Sequence, residues 1–124
     1  MLGALFVAIG GAIGSVTRYL VSGWFANRFG AAFPYGTFVI NVTGSFIIGF
    51  FAAFAQQRAS LSPYWRLFFA IGVVGGYTTF STFEYEGITL LRDREMLLGA
   101  IYLIGSVATG GVAAFAGLAL GSWI

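Results

Sequence analysis

Four long apolar runs dominate this chain: Leu2 to about Trp24, Phe38 to Ala55, Leu67 to about Leu91, and Met96 to Ile124. A helix needs about 20 apolar residues to cross a hydrocarbon core of about 30 Å, and each run is near that length. Four such segments are too few to close a barrel, so helices are the form that pairs every backbone N–H and C=O within lipid. The rest of the composition leaves no alternative solvent. Of 124 residues, 59% are hydrophobic and 8% charged, with a mean hydropathy of +0.92. Six basic and four acidic side chains are too few to make a water-facing surface. The expectation is an all-α, multi-pass membrane protein, one domain over 1–124 with four transmembrane helices.

Cysteine and histidine are both absent. That removes thiolate nucleophiles, disulfides, imidazole bases and the common zinc and haem sites together. The N-terminus lacks the basic segment of a secretory leader, so Met1 to Ile124 is read as the mature chain. The net charge is only +2 and the basic residues are scattered, so no basic stripe for nucleic acid exists. Gly10-Gly11-x-x-Gly14 lacks the lysine and strand context of a phosphate loop. With no such motif and no redox centre, transport is expected to be passive and the chain is not read as an enzyme.

Turn chemistry bounds the spans. Asn27-Arg28-Phe29-Gly30 and Pro34-Tyr35-Gly36 punctuate the first loop, and Thr37 is placed to cap the second helix. Ser62-Pro63 reads as an N-cap followed by proline at the first helical position. Arg92-Asp93-Arg94-Glu95 reads as a tight turn, with Asp93 capping the last helix. Tyr35, Tyr64, Trp65 and Trp123 fall near span ends, as an interfacial aromatic belt requires. Gly10-x-x-x-Gly14, Gly72-x-x-x-Gly76 and Gly117-x-x-x-Gly121 predict closely packed backbones, within a bundle or between copies.

Charge bias gives a first functional clue. With four spans, Arg58 and Arg66 lie on one side, and Arg28, Arg92 and Arg94 on the other, with Arg18 inside the first span nearer the second side. So weak a positive-inside bias permits insertion both ways, and an antiparallel dual-topology pair is expected. The competing expectation is one orientation set by Arg92 and Arg94.

Polar side chains at membrane depth face protein or water. Asn41 sits about a turn into the second span, as helix–helix glue or as an anion donor through its amide. Tyr102, Ser106 and Thr109 recur at steps that put them on one face of the fourth span. In the third, Gly75-Gly76-Tyr77-Thr78-Thr79-Phe80 puts weak helix formers in mid-membrane. It is either a kink or a broken helix, and a broken helix is tolerated only where its backbone is buried or lines a cavity. Phe80 and Phe83 then fall near one face, offering packing or electropositive ring edges. Of Glu84 and Glu86, at most one faces any pathway.

Gly75-Gly76-Tyr77-Thr78-Thr79-Phe80-Ser81-Thr82-Phe83 resembles the signature of the Fluc (CrcB) fluoride channels. So do Gly36-Thr37-Phe38-Val39-Ile40-Asn41-Val42-Thr43-Gly44-Ser45-Phe46 and Gly10-Gly11-Ala12-Ile13-Gly14-Ser15-Val16-Thr17-Arg18-Tyr19, with Ser15 where alanine is usual. The similarity covers essentially the whole chain. It implies an antiparallel, dual-topology homodimer in the inner membrane of a bacterium, carrying two fluoride pathways. Asn41, Phe80 and Phe83 would line them, with Thr82, Tyr102 and Ser106 in a polar track. Thr37, Arg18 and Glu86 are counted with the pathway. A structural sodium ion at the dimer centre would rest on the backbone carbonyls of Gly75 and Thr78. The partners implied are fluoride, sodium, a second copy of the chain and the bilayer. A small multidrug exporter is the rival transporter reading, but the first span holds only Arg18 where proton exchange wants a carboxylate. A helix-packing subunit is the structural alternative.

Overall fold

The computed structural model describes residues 1–124, and every regular element in it is helical. Three helices are long and apolar enough to cross a membrane: Leu2–Phe29, Tyr35–Gln56 and Met96–Trp123. Between the second and the last runs a broken segment. Its first arm covers residues 63–77, starting as α-helix at Pro63–Trp65, widening to a π-helix over Arg66–Val74 and closing with Gly75–Tyr77. Its second arm is Ser81–Arg92.

The broken segment runs from one end of the bundle to the other. Tyr64 stacks on Phe6 of the first helix with ring centroids 4.9 Å apart. Tyr85 to Asp93, at the far end, share a cavity wall with the turn between the first two helices. The first arm lies along the first helix, the second arm lies along the last, and the second and last helices pack over most of their length.

Glycine is what brings these backbones together. A Cβ on Gly10 would lie 3.0 Å from the Gly72 Cα, and one on Gly76 3.1 Å from the Gly11 Cα. Gly14 meets the Val73 carbonyl in the same seam, and Gly117 meets that of Phe46 in the other. The expected glycine spacings are therefore seams within one chain, set by van der Waals approach.

Several boundaries differ from the sequence reading. The first helix continues through Asn27-Arg28 to Phe29, five residues past Trp24, and ends at Gly30 with φ 79°. The second begins at Tyr35, so Thr37 is buried inside its first turn and caps nothing. Ser62 does cap the first arm, accepting from the Tyr64 N–H at 3.3 Å. Asp93 instead ends the second arm, and Glu95 precedes the last helix without a side-chain cap. The turn between them is tight because Arg94 adopts φ 63°. Gly75-Gly76 remain helical. The chain opens at Thr78, whose ψ of 157° is extended, because a donor and an acceptor from elsewhere compete for its neighbour's backbone.

Candidate functional site

The break is held from the second helix. Asn41 Nδ2 donates to the Thr79 carbonyl at 2.9 Å, and the Thr79 N–H donates to Asn41 Oδ1 at 2.9 Å. One carboxamide thus replaces both main-chain partners of one residue, as a paired strand would. Ser45 Oγ donates to the Asn41 carbonyl at 2.7 Å on the same helix. Gly44 lets the Thr78 side chain lie against its backbone, where any Cβ would collide with it. The sequence reading left Asn41 as glue or anion donor. The structure uses it as glue, with one amide hydrogen left over.

Diverting the Thr79 N–H frees a carbonyl. In a continuous helix that donor would go to Gly75, four residues back. Likewise the Thr82 N–H goes to Thr79 Oγ1 at 3.3 Å rather than to the Thr78 carbonyl. Arg18 Nε donates to the intervening Gly76 carbonyl at 3.1 Å, so the first-span arginine acts on the break itself. Gly75 and Thr78 are thereby left with carbonyls released from their helical donors. Carbonyl oxygen is a hard donor suited to a hard cation, so these residues fit the sodium the family resemblance implies.

Beyond the break, a groove of about 460 Å³ is lined by Asn41, Ser45, Thr78, Thr79, Phe80, Phe83 and Ser106 among others. Phe83 is 5% exposed and Phe80 is 73% exposed, their centroids 6.0 Å apart. Ser106 is 8% exposed, and its Oγ makes no hydrogen bond. With no protein partner, this hydroxyl is free to donate to whatever occupies the groove.

A second cavity, about 570 Å³, opens at the end of the bundle where Thr37 and Glu86 form part of its wall. Tyr102, only 1% exposed, touches one residue from the wall of each space. Its ring meets Phe83 edge-on at 5.2 Å, and its hydroxyl donates to Glu86 Oε1 at 2.9 Å. Glu86 is half-buried whereas Glu84 is exposed, so only one of the two carboxylates is turned inward.

The structure thus brings Asn41, Phe80, Phe83 and Ser106 to one groove and Thr37 and Glu86 to the second cavity, with Tyr102 touching Phe83 and Glu86. Thr82 and Arg18 line neither space. Thr109, expected to share a face with Tyr102 and Ser106, is exposed. Thr79 and Ser45 were not assigned roles from sequence. Thr79 lies 38 residues from Asn41, and no helical periodicity links the two.

Three membrane-length helices packed with a broken helical segment, beside a groove edged by Asn41, Ser45, Thr79 and Ser106, define an integral membrane protein. The family model described as CrcB-like protein, Camphor Resistance (CrcB), matches residues 5–118. The chain is 51% identical over 116 residues to the fluoride-specific ion channel FluC of Rhizobium meliloti, covering 94% of this chain and 93% of that one. It is 45% identical over 120 residues to that of Acidobacterium capsulatum, covering 97% and 96%. For Trichormus variabilis the figures are 47% over 116 residues, 93% and 85%. The chain belongs to the CrcB family.

Proposed function

We propose that this protein is a fluoride-selective channel that lets cytoplasmic fluoride leave passively across the inner membrane of a bacterium, protecting the cell from fluoride. The observation that carries the reading is the unpartnered Ser106 hydroxyl, buried beside Phe80, Phe83 and Asn41. Fluoride is small and strongly hydrated, so a path for it must offer donors in place of water yet hold it weakly enough for release. A hydroxyl, one amide hydrogen and the positive edges of phenylalanine rings meet that requirement without a cationic clamp. The named relatives support the same function.

In this reading residues 63–92 are the fourth span, despite the break. A single domain then assembles as an antiparallel dual-topology homodimer. Supporting this, the groove that holds Phe80 and Ser106 is open on one side, and the arginines are spread over both ends. The Gly75 and Thr78 carbonyls would hold a sodium ion near that face, supplying fixed positive charge to the pairing. Fluoride would pass between the Glu86 mouth and the groove by way of Tyr102 and Phe83. The test is rescue of a bacterium lacking its own fluoride exporter: expression should restore growth in otherwise inhibitory fluoride. Failure to rescue by protein present in the membrane would overturn the reading.

A further inference from the structure

The two ends of the bundle differ in charge. All four acidic side chains lie between Glu84 and Glu95, toward the end where Asp93 and Glu95 face the Gly30 to Thr37 turn. The other end is formed by the start of the first helix, the turn after Gln56 and the end of the last helix. It carries Arg58 and Arg66 and no acidic side chain.

Two adjoining hollows open there. One, of about 290 Å³, is polar and takes Arg58, Arg66, Gln56 and Ser62 into its wall. The other, of about 360 Å³, is an aromatic slot made by Phe6, Tyr64, Trp65 and Phe68, with Ser62 at the junction of the two. Arg58 is fixed in place. Its guanidinium lies 3.7 Å over the Phe54 ring and donates to the Phe54 and Ile124 carbonyls. Arg66 is exposed on the rim.

Guanidinium forks match phosphate oxygens, and no aspartate or glutamate side chain at this end competes for them. Tyr and Trp beside them mark the headgroup level of a bilayer. A molecule that joins a phosphodiester to a hydrocarbon chain fits both hollows at once. Inorganic phosphate fills only the polar one, and a zwitterionic lipid brings a cation to a place with no acidic side chain to receive it. We propose that this end binds an anionic glycerophospholipid, its phosphodiester between Arg66 and Arg58 and an acyl chain in the Phe6–Trp65 slot.

Trp65 is a reporter built into the slot. The chain has three tryptophans, so Trp24→Phe with Trp123→Phe leaves it alone. The detergent-solubilised protein would be titrated separately with short-chain phosphatidylglycerol, short-chain phosphatidylcholine and inorganic phosphate. Phosphatidylglycerol should change Trp65 emission saturably, phosphatidylcholine should need about tenfold more, and phosphate should do nothing. Arg66→Gln should raise the phosphatidylglycerol midpoint about tenfold, while Arg92→Gln at the acidic end should not. Native mass spectra give a second readout: phosphatidylglycerol retained by the parent and lost from the Arg58→Gln, Arg66→Gln double variant. Equal response to both lipids, a response to phosphate alone, or retention by the double variant would each overturn the proposal.

Discussion

The carboxamide of Asn41 grips Thr79 by both main-chain groups, each hydrogen bond 2.9 Å long. This pair joins the second helix to the break and decides which backbone groups the break exposes. Asn41→Ala should leave the Thr79 N–H and C=O in a half-buried place without partners, at a cost of about 1–3 kcal/mol. Asn41→Asp keeps an acceptor for the N–H but sets a carboxylate against the Thr79 carbonyl. Both should lower fluoride flux at least about tenfold. Flux assays on both variants, with chemical denaturation in detergent, check the two halves of this expectation.

Ser106 separates function from stability. Its hydroxyl has no protein partner, so Ser106→Ala should leave thermal stability unchanged or slightly raised, within about 1 kcal/mol. Flux should fall by about tenfold, one hydrogen bond's worth. A loss of stability with unchanged flux would show the hydroxyl to be packing only.

The seams can be tested by glycine substitution. Gly14→Ala would put a methyl group inside contact of the Val73 carbonyl oxygen, and Gly117→Ala would do the same at Phe46. Nothing lies within 4 Å of a Cβ on Gly23. The first two changes should destabilise by about 1–3 kcal/mol, as overpacking does, and Gly23→Ala should be neutral or mildly stabilising. Thermal unfolding in detergent measures all three.

Insertion both ways is testable by charge. Adding two lysines to one terminus should lock the orientation and abolish flux, and an oppositely locked copy should restore it. Full activity of one locked form alone would refute the antiparallel pair.

Much of this was legible in the sequence because lipid imposes simple rules. The existence of three membrane-length helices, the Ser62-Pro63 start and the glycine seams all follow from hydropathy, capping chemistry and close approach. The position of the break was less legible. Gly75-Gly76 are weak helix formers, yet they stay helical, Gly76 packed against Gly11 and Ser15 of the first helix, and the chain opens at Thr78 where Asn41 takes over Thr79. The π-helix over Arg66–Val74 left no signal, since Leu67-Phe68-Phe69-Ala70 suits any buried helix. The caps expected at Thr37 and Asp93 were both misplaced. Both residues suit capping locally, but the helices start at Tyr35 and Met96, after Pro34 and Glu95, with no side-chain cap at either. Motif resemblance pointed to Phe80, Phe83, Tyr102 and Ser106 together, whereas only the fold shows Tyr102 joined to both Phe83 and Glu86.

The central claim is selective fluoride conduction through the groove. Its most direct test is ion efflux from liposomes containing the purified chain, loaded with potassium fluoride or potassium chloride and opened with valinomycin. Rapid fluoride release with chloride retained, and release suppressed by Phe80→Ile and Phe83→Ile, is the predicted result. No fluoride release from the parent chain, or chloride release at a matching rate, would contradict it.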